Sequence, residues 1–329
     1  MRFRILDYAW HQGHSYRLHA LPADFWYLDV RRDLWNLNQR PKPENFRGPV
    51  HPRDVDLSKF DLALVHLDQW CDGRHNLRAL PFRVMIQTVK GRLPTVLIMH
   101  GTPESDQNRE NVLRLIGDLP VVCNSLEAAA VWDAGEERWD RYGLPQFRAI
   151  IHGYDVDEFA SEPFGSRLVT VVTVCGGGNW SYEYHGMPMM IRMMRDLPLL
   201  WYGHRGNRKM LPTYADYRAM LARSLIYFSP TTISPMPGSR TEAMLSGCCV
   251  VTMPGHDIEN YIEDGKTGLL VKDYAQARDV LQALTLQYPE IAYKIGQAGR
   301  EAARVWFDKG RFVEDWLTLL KGLGVTGGG

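Results

Sequence analysis

Along this chain short apolar runs alternate with longer stretches of helical period. Arg2–Tyr8, Phe25–Val30, Leu62–Leu67, Thr95–His100, Pro120–Cys123 and Arg148–Ile151 are brief, rich in β-branched residues and bounded by breakers. Such runs predict buried strands. Between them, Leu77–Lys90, Gln107–Ile116 and Ser125–Trp132 have helical spacing, with Ser125 placed as an N-cap and Glu127 in the first turn. Tyr154–Arg167 keeps no period and carries Pro163 and Gly165, which marks a linker. The alternation then resumes. Strands are predicted at Leu168–Val174, Leu197–Tyr202, Leu225–Phe228 and Gly268–Val271, with helices at Tyr184–Arg195, Tyr214–Arg223, Tyr274–Leu286, Ile291–Val305 and Arg311–Gly322. Strands alternating with helices predict an α/β protein with two doubly wound parallel sheets in tandem.

The 329 residues suffice for two domains, divided by this pattern into residues 1–155 and 156–310, with 311–329 as a closing helix and frayed tail. Formal charge is zero, which argues against a nucleic-acid partner. The five cysteines form no C-x-x-C pair and are odd in number, so reduced thiols in a cytoplasmic protein are expected. The N-terminal segment lacks the pattern of a signal peptide.

In open α/β sheets ligands sit beyond the carboxyl ends of the strands. That rule selects residues 11–17, 100–104, 176–184, 203–209 and 234–242. The last of these opens the segment Pro237-Gly-Ser-Arg-Thr-Glu-Ala-Met-Leu-Ser-Gly-Cys-Cys-Val-Val-Thr252, a glycine-led entry to a short apolar helix and a strand. The first amides of a helix lack acceptors and lie at its positive end, where a phosphate is favoured. Gly238, Ser239, Arg240 and Thr241 are the candidate phosphate contacts, and Glu242, one turn in, suits neutral ribose hydroxyls. The local pattern alone fits an ordinary capped helix as well.

Glu242-Ala-Met-Leu-Ser-Gly247, followed by Val250-Val-Thr252, Glu259, Asp264-Gly265 and Gly268-Leu-Leu-Val271, resembles the most recognisable segment of the family 4 glycosyltransferases. Val96–Gly101, Val121–Ser125 and Ile150–Phe159 resemble further segments of that family. The resemblance implies a GT-B fold, in which two Rossmann-like domains face each other across a cleft. The N-terminal domain would bind the acceptor, the C-terminal domain would bind a UDP-, GDP- or ADP-sugar, and the last helix would cross back to the first domain. Sugar transfer to a hydroxyl of a glycan, lipid or small molecule, with retention, is the implied reaction. His100 would orient the donor sugar.

Two departures stand out. Where the family has the first glutamate of a pair, eight residues before Glu242, this chain has Ser234. The family's diphosphate-holding Arg and Lys-Gly are also missing. Gly177 and Gly178 in the Gly176–Gly178 run, Arg205 and Lys209 are the candidate replacements, with Arg208 beside them. A GT-B-like protein that binds nucleotide or sugar without turnover is therefore the alternative reading. Transfer to modified nucleic acid is a third. Gly13, His14 and Arg17 are the acceptor-side candidates, with His14 a base or anion grip or part of a polar surface loop. Glu183 and His185 lie near the inferred diphosphate region. Arg31 and Arg32 beside Trp26, Tyr27 and Trp35 raise peripheral membrane contact against the plainer reading of core aromatics. Without a D-x-D placed to bridge a diphosphate, no metal and no cofactor are expected.

Overall fold

The computed structural model describes residues 2–30, 35–73, 76–174, 185–203 and 206–327. It divides into two compact units, residues 1–153 with 309–329, and residues 154–308.

The first unit holds a seven-stranded sheet in the order β3-β2-β1-β4-β5-β6-β7. Its strands are β1 (Phe3–Asp7), β2 (Ala23–Leu28), β3 (Phe46–Val50), β4 (Leu62–Leu67), β5 (Thr95–Met99), β6 (Val121–Cys123) and β7 (Phe147–Ala149), all parallel. The helices are α1 (Gln12–Leu18), α2 (Asn76–Val89), α3 (Asp106–Ile116), α4 (Leu126–Asp133) and, from the chain's end, α11 (Lys309–Gly322). Every residue of β4 and β5 is buried, as continuous apolar runs in a sheet covered on both faces require. Alternate residues feed two cores. Leu6, Ala63, Val65, Leu97 and Met99 pack on one face. Ile5, Leu62, Leu64, Val96 and Ile98 pack on the other, against Leu18 of α1 and Phe312, Trp316 and Leu320 of α11. Gly153 fixes the approach of α11, because a Cβ there would lie 2.2 Å from Phe312 Cβ.

The second unit holds a five-stranded parallel sheet, β12-β11-β10-β8-β9. Its strands are β8 (Leu168–Val174), β9 (Leu199–Tyr202), β10 (Ser224–Ser229), β11 (Cys249–Thr252) and β12 (Leu269–Leu270). Its helices are α5 (Met187–Asp196), α6 (Tyr214–Arg223), α7 (Gly238–Leu245), α8 (Ile258–Tyr261), α9 (Tyr274–Leu286) and α10 (Pro289–Trp306).

The chain order reverses at β1/β4 in the first sheet and at β8/β10 in the second, and such switch points are where doubly wound sheets bind ligands. Among the described residues no helix is long and apolar enough to cross a membrane. Tyr27 is buried, and Trp26 and Trp35 pack against the two cores, so these aromatics are structural. Arg31 and Arg32 lie outside the described residues.

Candidate functional site

In the second unit the loop from β10 enters α7 through Pro235, Met236 and Pro237. Met236 takes the left-handed conformation, with φ 49°. Pro237 is the N-cap and makes no side-chain cap hydrogen bond. By helix geometry the amides of Gly238 and Ser239 then have no intrahelical acceptor, whereas the Arg240 amide already donates to the Pro237 carbonyl at 3.1 Å. An entry residue that cannot cap leaves these donors to water or to a ligand.

The other end of α7 is closed tightly. Gly247, at φ 73°, donates to the Met244 carbonyl at 2.8 Å, and Cys248 donates to the Ala243 carbonyl at 3.0 Å. This is a Schellman closure, and it explains the glycine five residues after Glu242. Arg167, from the segment before β8, donates to the Ser224 carbonyl at 2.6 Å and to the Ser246 carbonyl at 2.8 Å. It thereby ties β10 to the end of the helix. Cys248 is inert here, its thiol pushed up to about 12 by burial.

Side chains of α7 face inward. Glu242 is buried, and its carboxylate accepts from the Tyr217 hydroxyl of α6 at 2.6 Å. Ser239 Oγ accepts from the Tyr227 hydroxyl at 2.8 Å, and Tyr154 donates to the Gly238 carbonyl at 3.4 Å. Thr241 is buried. Arg240 is only 2% exposed, with Nη1 3.5 Å from Thr252 Oγ1. Its Nε and Nη2 have no hydrogen-bond partner among the described residues. Burial pushes this guanidinium down to about 10, against smaller opposing contributions from Tyr227, Tyr154, Glu259 and Tyr261. The sequence pictured Arg240 as a cation beside the helix entry; the fold instead encloses it.

Ser234 is half-buried in the loop before α7, and Lys209 is exposed after β9. Lys209 follows Arg208, which bridges Tyr202 at the end of the edge strand β9, two strands away from β10. Gly177, Gly178, Arg205 and Glu183 lie outside the described residues. His185 is described, and burial holds its imidazole at about 4.

The first unit brings together residues that lie far apart in sequence. His66 of β4 pairs in register with Ile98, and His100 is two residues further, on the same face. Asp7 closes β1 beside them. His66 Nδ1 lies 2.8 Å from His100 Nε2, and His66 Nε2 lies 3.0 Å from Asp7 Oδ1, with Asp7 and His66 both wholly buried. The Tyr8 hydroxyl donates to the His66 carbonyl. From α1, the His14 ring lies edge-on to His100 at 4.8 Å between centroids. His14 Nδ1 faces His152 Nε2 at 3.1 Å, and Arg17 Nη1 faces His152 Nδ1 at 3.3 Å. Arg311 of α11 donates to the Ile151 carbonyl at 2.8 Å. Burial, then the neighbouring rings, hold His14 well below the usual imidazole range. Burial, then Arg17, does the same for His152.

So His14, Arg17 and His100 meet at the switch point of the first sheet, and Gly13 sits half-buried near Arg40 and His11. Asp7, His66 and His152 were missed by sequence reasoning. His66 and Asp7 sit in apolar strand runs, and only their place at strand ends distinguished them.

Residues 172–287 match the family described as "Glycosyl transferases group 1". Alpha-maltose-1-phosphate synthase of Mycolicibacterium smegmatis is 28% identical over 121 residues, an alignment covering 35% of this chain and 31% of that relative. The chain thus spans about a third of that relative's length. Among solved structures, HepE of Anabaena in complex with UDP and glucose has a TM-score of 0.70 at 15% identity, covering 97% of this chain and 99% of HepE. Sucrose-phosphate synthase of Thermosynechococcus elongatus has a TM-score of 0.68 at 14% identity, covering 98% and 99%. The two units are those of a GT-B fold, and residues 172–287 of the second match the group 1 glycosyl transferases.

Proposed function

We propose that this chain transfers a sugar from a nucleotide-sugar donor to an acceptor hydroxyl, with the nucleotide bound by the second unit at the entry of α7. The observation that carries this reading is the α7 entry itself. An uncapped helix start stands above a buried Glu242 held by Tyr217, inside the segment matched by the glycosyltransferase family. The Gly238 and Ser239 amides would receive the diphosphate, whose negative charge grows as the sugar leaves. The helix dipole adds to this, at about 0.3–1 kcal/mol for a group at the first turn. Glu242 would accept from the ribose hydroxyls, with Tyr217 fixing the carboxylate. Lys209 would supply further positive charge.

Uridine is the favoured base, because HepE has been crystallised with UDP-glucose. Retention of anomeric configuration follows from the family resemblance. The acceptor, a glycan, lipid or small molecule, is assigned to the first unit, where Gly13, His14 and Arg17 gather. Ser234 in place of the family's glutamate favours a second reading, donor binding without turnover.

Titration calorimetry with UDP and with UDP-glucose tests the proposal, with GDP- and ADP-glucose as comparisons. Glu242→Gln should weaken UDP binding about tenfold, the loss of roughly 1.4 kcal/mol of interaction, while the circular dichroism spectrum stays the same. Unchanged affinity removes Glu242 from the site. Release of free UDP together with glycosylated acceptor separates transfer from binding alone.

A further inference from the structure

We infer that His14, His66 and His100 form a binding site for a divalent transition-metal ion, with Zn2+ the natural probe. One ring nitrogen from each of the three lies within 4.8 Å of those of the other two. Three imidazoles with a fourth position left open is a recurrent zinc arrangement, with Zn–N distances of about 2.0–2.1 Å. Nitrogens in such a tetrahedron stand roughly 3.3–3.4 Å apart by that geometry, so sub-ångström to ångström-scale ring adjustments complete the set. Soft sulfur and hard oxygen donors are absent from this group, and an all-imidazole site suits zinc, copper or nickel over calcium or magnesium.

Two features beyond proximity point to an ion. His14 Nε2 is buried without a hydrogen-bond partner, and so is Asp7 Oδ2. A buried polar atom left unmatched costs about 1–3 kcal/mol; an ion ligated by His14 Nε2 answers the first, whereas Asp7 lies on the far side of His66. Asp7 also stands behind His66, its Oδ1 3.0 Å from Nε2, while Nδ1 faces the other rings. The carboxylate is within ion-pair distance of the ring without a hydrogen bond that would fix its tautomer, and its negative charge favours a cation bound on the other side. The half-buried His100 leaves one side of the group reachable, as ion entry requires.

Arg17 sets a condition on binding. It can only donate, so its contact with His152 Nδ1 makes that nitrogen an acceptor and places the His152 proton on Nε2. That proton points at His14 Nδ1, so His14 carries its own proton on Nε2. Metal ligation through His14 Nε2 needs both rings in the opposite tautomer, which costs the Arg17 contact. Arg17→Gln, whose amide oxygen accepts from a protonated His152 Nδ1, should therefore bind the ion more tightly than the native chain.

This inference is independent of the nucleotide site, because every group in it lies in the first unit. The test is titration of the intact, chelator-stripped chain with Zn2+, followed by calorimetry and X-ray absorption. One Zn2+ per chain is expected, with a nitrogen shell showing imidazole scattering. His14→Ala and His100→Ala should each weaken binding at least tenfold, Arg17→Gln should strengthen it severalfold, and His51→Ala, an exposed ring elsewhere, should leave it unchanged. Circular dichroism shows which variants fold. The proposal is overturned by the lack of saturable binding, by sulfur in the shell, by fewer than three imidazoles, by affinity unchanged in folded His14→Ala and His100→Ala, or by weaker binding in Arg17→Gln. Should the alanine variants not fold, absorption by the native chain decides alone.

Discussion

At the residue scale the buried Arg240 is the sharpest departure from what a stable core prefers. A charge taken out of water costs several kcal/mol unless paired, and this guanidinium has no carboxylate in ion-pair range among the described residues. A position that only filled space would be better served by an apolar side chain of similar length. Arg240→Met should therefore leave the urea midpoint unchanged or raise it. If Arg240 serves as counter-charge to an anion at the entry of α7, the same variant should lose about tenfold in UDP affinity. A lowered midpoint with intact affinity would mean that Arg240 is a structural strut. The α7 segment was legible in the sequence because its constraints are local: a helix entry, a glycine closure and a following strand occupy consecutive positions. The burial of Arg240 was not legible, because Thr252, which it contacts, and Tyr154, Tyr227 and Tyr261, which bear on its charge, come from four separate stretches of chain.

At the element scale, the strands and helices with a clear period were readable from residue types alone. β4 and α6 and α9 run as the pattern predicts, and Ser125 caps α4 by accepting from the Ala128 amide at 3.0 Å. Three elements escaped, one of them the single-turn α8. α1 follows His11, an N-cap whose side chain makes no cap bond, and includes Gly13, so its first turn reads as a loop. β3 contains Gly48 and Pro49 and lies at the sheet edge, where only part of each residue is buried and no apolar run is needed. Of the three histidines only His66 was hidden: parallel pairing of β4 with β5 sets it beside His100, and α1 brings in His14. A helix's approach can depend on one residue in the same way. Gly296 of α10 lies against the start of β11, and a Cβ there would stand 2.4 Å from the Gly247 carbonyl oxygen and 2.8 Å from the Cys249 nitrogen. Both are backbone atoms and cannot swing aside. Gly296→Ala should destabilise the second unit by about 1–3 kcal/mol through overpacking, less up to about 1 kcal/mol of helix propensity regained. Gly165→Ala, with nothing within 4 Å of its new methyl, is the control that should change little. Equal urea midpoints for the two variants would contradict the packing argument.

At the scale of the whole molecule, buried neutral histidines couple folding to pH. Burial dominates the lowering at His14, His19, His152 and His185, with His19 and His185 held at about 4. Burial lowers His19 against the opposing hydrogen bond to Asn45 at 2.7 Å and the charge of Asp7. A folded pKa below the unfolded value of about 6.5 means that the unfolded chain takes up more protons in acid. These groups therefore cost nothing above pH 6.5, and stability falls as pH drops below it. Each histidine contributes a slope of at most about 1.4 kcal/mol per pH unit. For His19 and His185 the loss ends near pH 4, whereas for His14 and His152 it continues further into acid. The lowered carboxylates of Asp56, Asp118 and Glu136 are exposed and titrate below this window, so they do not produce it. Urea unfolding in chelator should give a flat midpoint from pH 8 to about 6.5 and a steady fall from there to pH 4.5. His19→Gln, which keeps a polar group beside Asn45 and cannot charge, should reduce the slope by up to one proton. A midpoint that stays level through pH 5 would show that these rings are solvated in the folded chain.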